Sequence, residues 1–342
     1  MPFLTLYFII ALLAINNDKV RNIRYLDLFI FALLILISSI RWEVGGDWGP
    51  YGRFYDNLFI WNKSPLDSSL FYIIHAFSNL INLNFLGKNI VLIILFLFPF
   101  YYVFKKFYKN IYLSLCIFFP IIFLIYGLGS IRQGLAISYF YLFLYYNGNK
   151  FIKYSLFIIP FFFHLSAIFL MIFYLFSQII SFDNFKIFIK KLLLISFLIF
   201  FILIISYDIW TFYIVHYVDD KIFKSSGAVI RALFLSFFCV IYLIKFRYND
   251  KDSFHKFLFL SSIFIILITP LSFYFSTPID RLLGFFLFLK IIISDELLKI
   301  VDKSKIKIIS LVLILMSFSY LVIWLYFGNN SWQWLDFEIH FI

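Results

Sequence analysis

Apolar runs close to the length of a membrane-spanning helix recur throughout this 342-residue chain. A helix needs about 20 apolar residues to cross the hydrocarbon core of a bilayer. Hydrophobic residues make up 64% of the chain and charged residues 14%, against about 45–50% and about 25% in soluble domains. A water-soluble fold could not bury so much apolar surface. We therefore predict that the bilayer is the solvent for most of the chain.

The apolar runs predict helices rather than strands. Backbone groups in lipid have no water to bond with, which leaves helices or a closed barrel, and barrel strands would alternate apolar and polar residues. We expect an all-α integral membrane protein, a polytopic bundle of about 10–12 transmembrane helices with short outer loops, forming one domain over residues 1–342. The runs are 3–15, 26–40, 69–86, 89–104, 111–128, 131–146, 154–180, 192–206, 228–244, 257–275, 282–293 and 306–327.

Basic residues cluster in short loops between the runs. The net charge of +11 therefore indicates positive-inside topology rather than nucleic-acid binding. The loops assigned to the cytoplasm carry Lys19, Arg21 and Arg24; Lys186, Lys190 and Lys191; Lys245, Arg247, Lys251 and Lys256; and Lys299, Lys303, Lys305 and Lys307. Both termini and two longer loops, 41–68 and 207–227, then face outside. All seven tryptophans fall in or beside these outer segments, as expected of a residue that favours the interface.

One stretch conflicts with this topology. Twelve full crossings would place five lysines outside, namely Lys105, Lys106, Lys109, Lys150 and Lys153. We therefore expect that a helix between 69 and 180 is short or broken, as Pro160 and His164 in mid-run would allow, and broken helices commonly line substrate sites. In this interpretation Lys105 to Lys109 lie inside and Arg132 faces out. The alternative is that the positive-inside bias is weak in this stretch.

Arginine is distributed differently from lysine. Five of the eight arginines lie in or beside proposed outer segments, against the positive-inside trend: Arg41, Arg53, Arg132, Arg231 and Arg281. The guanidinium group is always charged and binds phosphate or carboxylate through two parallel hydrogen bonds. The cluster therefore indicates an anionic, phosphate-bearing substrate outside. The alternative is that each arginine reaches lipid headgroups or pairs with an acid such as Asp280.

Three short segments carry candidate site residues. The first follows a span directly, and its aromatic and acidic residues suit sugar rings, although an interfacial anchor would use the same aromatics. In the second, Arg132 and Gln133 begin a run, where exposed helix N–H groups favour an anion. In the third, His164 is an ionisable group within an apolar run and hence a functional candidate; His75 better fits a bonded structural histidine. The first segment reads Arg41-Trp42-Glu43-Val44-Gly45-Gly46-Asp47-Trp48-Gly49-Pro50-Tyr51.

Metal and cofactor motifs are absent from the sequence. There is no His-Glu-x-x-His, no nucleotide-binding glycine loop and no Asp-x-Asp pair, and Cys116 and Cys239 both lie within apolar runs. We expect chemistry without a metal or cofactor. A general base is still needed to activate a hydroxyl, and Asp47, His164 and Glu43 compete for that role. Asp47 lies in an outer loop, whereas His164 has the better unperturbed pKa, about 6.5 against about 3.9.

Four pieces of the sequence, taken in order, resemble the EpsG family, which is similar to the Wzy-type polysaccharide polymerases. The resemblance runs from about residue 40 to about residue 290, and the second and third pieces are the most recognisable. The pieces are Arg41 with Gly46-Asp47 and Tyr51, Ile131-Arg132-Gln133-Gly134-Leu135-Ala136, Phe163-His164-Leu165-Ser166-Ala167, and Asp280-Arg281-Leu282.

The resemblance implies a GT-C-like helical architecture and a glycosyltransferase of the bacterial inner membrane. The implied reaction transfers a growing glycan from undecaprenyl diphosphate to the next lipid-linked repeat unit at the outer face, as in O-antigen, capsule or exopolysaccharide synthesis. Asp47 and His164 are then the catalytic candidates. The implied partners are the lipid-linked oligosaccharide, membrane lipids, a chain-length regulator and a flippase of the same pathway. The candidates for binding diphosphate and sugar are Arg41, Arg132, Gln133, Arg281, Tyr51 and Arg231.

Two other functions fit a polytopic chain. One is a flippase or other transporter of lipid-linked oligosaccharide, and the other is a membrane O-acyltransferase acting on surface glycans. A transporter should carry charges along a central path that reaches both faces. Here the candidate charges gather towards one face, which favours chemistry at that face.

The predicted topology can be tested by cysteine labelling of whole cells, in a background from which Cys116 and Cys239 have been removed. We expect a membrane-impermeant maleimide to label Asn57→Cys without permeabilisation and to label Asn249→Cys only afterwards. Both variants replace asparagine by cysteine, so a difference in labelling between them reports a difference in accessibility. Labelling of position 249 but not position 57 in intact cells would overturn the topology.

Overall fold

The structure, a computed structural model, describes residues 2–42, 44–46, 68–179, 225, 227–246, 252–328, 331–335 and 338–339. Within these residues the chain is helical apart from turns and one two-residue strand pair, as the apolar runs predicted. In the described part of the chain, five helices are long and apolar enough to cross a membrane: Phe85–Phe107, Ile111–Gly129, Ala228–Lys245, Ser253–Phe273 and Lys303–Phe327. Four apolar helices are shorter, namely Pro2–Ile15, Leu26–Ser39, Ser69–Leu80 and Ala167–Ile179. The protein is an all-α polytopic membrane protein.

The described elements follow one another in a simple order. They are α1 Pro2–Ile15, α2 Asn17–Val20, α3 Leu26–Ser39, β1 Arg41–Trp42, α4 Ser69–Leu80, α5 Phe85–Phe107, α6 Ile111–Phe118 with a π-helical continuation Phe119–Gly129, α7 Ile131–Tyr145, α8 Lys150–Phe163, α9 Ala167–Ile179, α10 Ala228–Lys245, α11 Ser253–Ile268 with a 3-10 turn Thr269–Phe273, α12 Ser276–Gly284, α13 Leu289–Ile300, α14 Lys303–Phe327, α15 Trp332–Leu335 and β2 Glu338–Ile339.

The chain divides into two compact units, a first unit of Met1–Ile168 with Lys290–Ile342 and a second unit of Phe169–Leu289. The sequence suggested one domain over 1–342, and that remains a prediction. The core of the first unit is aromatic. Phe100 lies between Phe96 and Tyr141, with ring centroids 5.6 and 5.1 Å away. A Cβ on Gly134 would lie 2.7 Å from the carbonyl oxygen of Tyr126, so this glycine lets α7 approach the π-helical stretch closely.

One end of the first unit, the lysine end, gathers the chain segments between α1 and α3 and between α5 and α6. Asp27 at the start of α3 forms an ion pair with Lys105 near the end of α5. Asn110, which precedes α6, donates from Nδ2 to the Ala14 carbonyl at 3.0 Å. The backbone N–H of Lys109 donates to Asp295 of α13 at 3.3 Å. Four helices therefore present polar groups to one another at this end.

The opposite end, the arginine end, carries Arg41 directly after α3 and Arg132 at the start of α7. There β1 pairs antiparallel with β2, with Arg41 opposite Ile339. Trp324 and Trp334 meet edge to face with ring centroids 5.0 Å apart. The C-terminal tryptophans thus lie at the same end as Arg41, as their interfacial preference predicted.

The conflict among the lysines between 69 and 180 is resolved by α4. It has 12 residues and is therefore about 18 Å long, too short to cross a hydrocarbon core of about 30 Å. The run predicted over 69–86 is not a full crossing. Lys105 therefore lies at the opposite end of the first unit from Arg132, the arrangement that the sequence favoured. The Tyr108 hydroxyl lies 2.9 Å from that of Tyr145 at the end of α7, which places the following Lys150 at the lysine end too.

Two other runs are divided in the structure. Run 154–180 is broken as expected, because α8 ends at Phe163 and α9 begins at Ala167. Run 282–293 is not one helix, and its prediction as a continuous span was wrong. A turn at 285–288 separates α12 from α13, directly after Gly284, a residue that stabilises helix poorly. Run 192–206 lies outside the described residues.

The second unit repeats the separation of lysine from arginine within itself. Within this unit the half-buried ring of Phe173 lies 5.0 Å from Phe264 and 5.5 Å from Phe286. Lys245 ends α10, beside the hydrogen bond of 2.8 Å that joins Tyr242 to His255 of α11. Arg231 lies in the first turn of α10, at the far end of the same helix.

Candidate active site

The start of helix α7 is the centre of the candidate site. The π-helical stretch ends at Gly129, Ser130 interrupts the helix, and Arg132 lies in the first turn of α7. The Arg132 guanidinium donates from Nη1 to the hydroxyl of Ser68 at 3.0 Å. Ser68 is fully buried and has a positive φ of 63°. This bond fixes the last residue of the predicted outer loop 41–68 to the helix start.

The first residues of the same loop are held at the same place. Gly45 has a φ of 110°, a left-handed conformation that glycine adopts readily. Its N–H donates to the Gln333 carbonyl at 3.2 Å, and a Cβ on Gly45 would overlap the carbonyl of Leu128 at the end of the π-helical stretch. The backbone therefore approaches Leu128 as closely as only glycine allows.

Both ends of the 41–68 loop thus meet at the start of α7. No local pattern predicts this meeting, because the two attachment points are separated by about 20 residues in the chain. Asp47 and Tyr51, the candidates within the loop, lie outside the described residues, as does Glu43. Their roles remain predictions.

Arg41 and Gln133 are buried at the same end of the first unit. Arg41 is 5% exposed and Gln133 is 8% exposed. A cation held in a low-dielectric surrounding interacts more strongly with an anion than it would in water. The structure therefore brings three predicted binding residues, Arg41, Arg132 and Gln133, to the arginine end.

His164 lies at the break between α8 and α9. It follows the last residue of α8, and its Nδ1 accepts a hydrogen bond of 3.3 Å from the backbone N–H of Ser166. Its neighbour Phe163 packs on Tyr139 of α7, with ring centroids 5.4 Å apart. His164 therefore occupies a helix break beside α7.

In the second unit, Arg231 forms a bidentate ion pair with Asp280. Its Nε donates to Oδ1 at 2.6 Å and its Nη2 to Oδ2 at 2.5 Å. Ser225 joins the pair by donating to Oδ2 at 2.6 Å. This fits the alternative that an arginine pairs with Asp280. Arg281, the next residue, is exposed.

Several residues near the candidate site were not identified from the sequence. Nothing in the sequence pattern around Ser68 marked it as a site residue. Lys88 and Asn89 begin α5 and are only 8% and 4% exposed, and their polarity at the edge of an apolar run was a usable signal. Trp334 was recognised only as an interfacial residue. Within the described part of the chain, no three His, Cys, Asp or Glu side chains are grouped as metal ligands would be, and chemistry without a metal remains a prediction.

Comparison with known proteins assigns the chain to a family. The model of the EpsG family matches residues 24–338. The chain belongs to the EpsG family. The match is longer than the resemblance seen in the sequence, and it includes both Arg132 and Trp334. EpsG membership indicates a membrane glycosyltransferase-like protein of polysaccharide synthesis. Neither the curated proteins nor the solved structures gave a match.

The Arg231–Asp280 pair can be tested by a double-mutant cycle on the free energy of unfolding in detergent. We expect Arg231→Ala and Asp280→Ala each to destabilise the protein, with a coupling of about 1–3 kcal/mol, because removing either partner leaves a partly buried charge.

The exposed pair of Lys305 and Asp302, 3.6 Å apart, is the matched control. It should show little coupling, because solvent screens exposed ion pairs. Coupling at Arg231 no larger than that of the control would contradict a structural role for the pair.

Proposed function

We propose that the protein is a polysaccharide polymerase that transfers a growing glycan from undecaprenyl diphosphate to the next lipid-linked repeat unit. The EpsG match over residues 24–338 is the observation that carries this proposal. We place the reaction at the arginine end and assign that end to the outer face of the bacterial inner membrane. Both termini would then be outside, and a chain-length regulator and a flippase would be pathway partners.

Arg132 is proposed as the main contact of the lipid diphosphate. It lies in the first turn of α7, where backbone N–H groups and the helix dipole favour an anion. The hydrogen bond to the Ser68 hydroxyl orients its guanidinium at this helix start. Arg41 and Arg281 are proposed as further diphosphate contacts, and Gln133 and Tyr51 as sugar contacts. Arg231 is the weakest of these candidates, because its guanidinium already forms two hydrogen bonds with the Asp280 carboxylate.

The proposed reaction is a substitution at the anomeric carbon of the donor glycan. The acceptor hydroxyl oxygen forms the new bond to that carbon while its proton passes to a general base. The bond to the diphosphate oxygen breaks, and its electron pair leaves with undecaprenyl diphosphate. Fixed cations in a site that excludes water can stabilise this developing charge, so the step as proposed needs no metal.

The polymerase proposal is tested by the length of the glycans in a deletion strain. We expect loss of the protein to leave single repeat units on the carrier or acceptor, because export continues without polymerisation. Loss of a flippase would leave no repeat units outside, and loss of an O-acyltransferase would leave full-length glycan without acyl groups.

Complementation of that strain tests the role of Arg132. The Arg132→Lys variant, at normal protein level, should polymerise glycan on the order of 10²–10³-fold more slowly, because lysine keeps the charge but cannot form the two parallel hydrogen bonds of a guanidinium. Arg24→Lys, an exposed exchange at the lysine end, is the matched control and should restore normal glycan. Full-length glycan from Arg132→Lys would exclude Arg132 as the diphosphate contact.

The general base is proposed to be Asp47, with His164 contacting or orienting the substrate. Asp47 directly follows Gly46, which lies beside the residues that lead into α7, whereas His164 lies at the break between α8 and α9. Asp47→Asn keeps the shape of the side chain but cannot accept a proton, so we expect it to stop chain growth. His164→Gln should retain part of the activity. Normal glycan from Asp47→Asn together with none from a stably inserted His164→Gln would exchange the two roles.

A further inference from the structure

The segment that follows the last crossing helix is built into the candidate site. Trp334 in α15 is only 6% exposed, and its Nε1–H donates to the Leu124 carbonyl of the π-helical stretch at 3.1 Å. A Cβ on Gly129 would lie 3.1 Å from the indole. The side chain therefore fills the space beside the residues that lead into α7.

The same segment also holds the beginning of the 41–68 loop. The carbonyl of Gln333 accepts the N–H of Gly45, and a Cβ on Gly46 would lie 3.7 Å from the Trp334 ring. Beyond α15, β2 pairs with β1 and places Glu338 opposite Trp42. We call Ser331–Leu335 together with Glu338–Ile339 the C-terminal clasp.

We propose that the C-terminal clasp is a positioning element of the active site, with Trp334 as its central residue. The indole lies beside both the loop start at Gly46 and the helix lead-in at Gly129, so it sets the separation between the loop that carries Asp47 and the helix that carries Arg132. Trp334 acts through these two segments and not on the substrate. The inference rests on the proposed function for its catalytic consequence, but the clasp itself can be tested without that function.

The choice of residue type fits this role. An aromatic side chain supplies a large, rigid contact area, and a buried indole N–H needs an acceptor, which Leu124 provides. Trp332, two residues earlier in the same short helix, is 59% exposed. Trp332 is thus the exposed, interfacial tryptophan, and Trp334 is the buried one that packs between segments.

The clasp is tested first by hydrogen exchange on the intact, detergent-solubilised protein. Trp334→Ala should increase amide exchange at residues 44–46 and 130–134 by at least tenfold, while α10 and α11 of the second unit stay unchanged. Trp332→Ala is the matched control and should change neither. Unchanged exchange at 44–46 in Trp334→Ala would overturn the inference.

Its catalytic consequence is tested in proteoliposomes with lipid-linked repeat units isolated from the deletion strain. We expect Trp334→Ala to lower kcat at least tenfold with an apparent KM within about twofold, because misplaced groups slow the reaction even when substrate binds. Trp334→Phe, which keeps a ring at this position, should recover most of the rate. Normal kcat in a Trp334→Ala protein whose loop exchanges faster would also overturn the inference.

Gly45→Ala provides a second variant in case Trp334→Ala does not insert. It leaves Trp334 in place but disturbs the contact with Leu128, and we expect the same faster exchange and lower kcat, with a smaller effect from Gly46→Ala. Equal, wild-type behaviour of both glycine variants would count against the inference. If wild-type protein itself makes no polymer, the proposed function fails, and hydrogen exchange alone decides the clasp.

Discussion

Backbone hydrogen bonding in a medium without water is the constraint on which this structure depends. An unpaired N–H or C=O group in hydrocarbon costs several kcal/mol, so the described chain is helical wherever it can be. Helices can end at membrane depth only where protein encloses their ends. The interruption at Ser130 meets this condition, because its N–H bonds to the Ile125 carbonyl at 2.9 Å and Trp334 covers the preceding turn. The same interruption begins a new helix, whose first N–H groups have no acceptor within the helix, and we propose the site there for this reason.

Two of the candidate arginines are held in different ways. Arg231 forms a bidentate ion pair with Asp280, which offsets its charge. Arg132 donates to the Ser68 hydroxyl, which orients its guanidinium at the start of α7. Because a helix start favours an anion, Arg132 is the stronger candidate for an anionic substrate in our proposal. Lysine, a strongly hydrated point charge, is exposed at the helix ends that carry Lys105, Lys245 and Lys303.

The sequence predicted the helical class, the separation of lysine from arginine and the break near His164, because each depends on local composition. It did not predict that α4 stops at Leu80 or that a turn divides α12 from α13. Both ends had a local signal within an apolar run: Asn82 and Asn84 follow the end of α4, and Gly284 ends α12. The bond between Arg132 and Ser68 could not be predicted either, since no local pattern pairs residues separated by 64 positions. Trp334 carried an interfacial signal, but its contact with Leu124 depends on the whole fold.

The assembly of the site from distant segments has a consequence for folding order. Trp334 and β2 follow α14 in the chain, so the clasp can close only after that helix has crossed the membrane. Until then the loop start at Gly45 lacks the Gln333 carbonyl, and the indole that covers the lead-in to α7 is missing. Replacing a buried tryptophan by alanine costs about 3–5 kcal/mol in soluble cores, a scale that indicates how much ordering the clasp can supply. If the clasp acts as we propose, the candidate site becomes ordered only after α14 is in place.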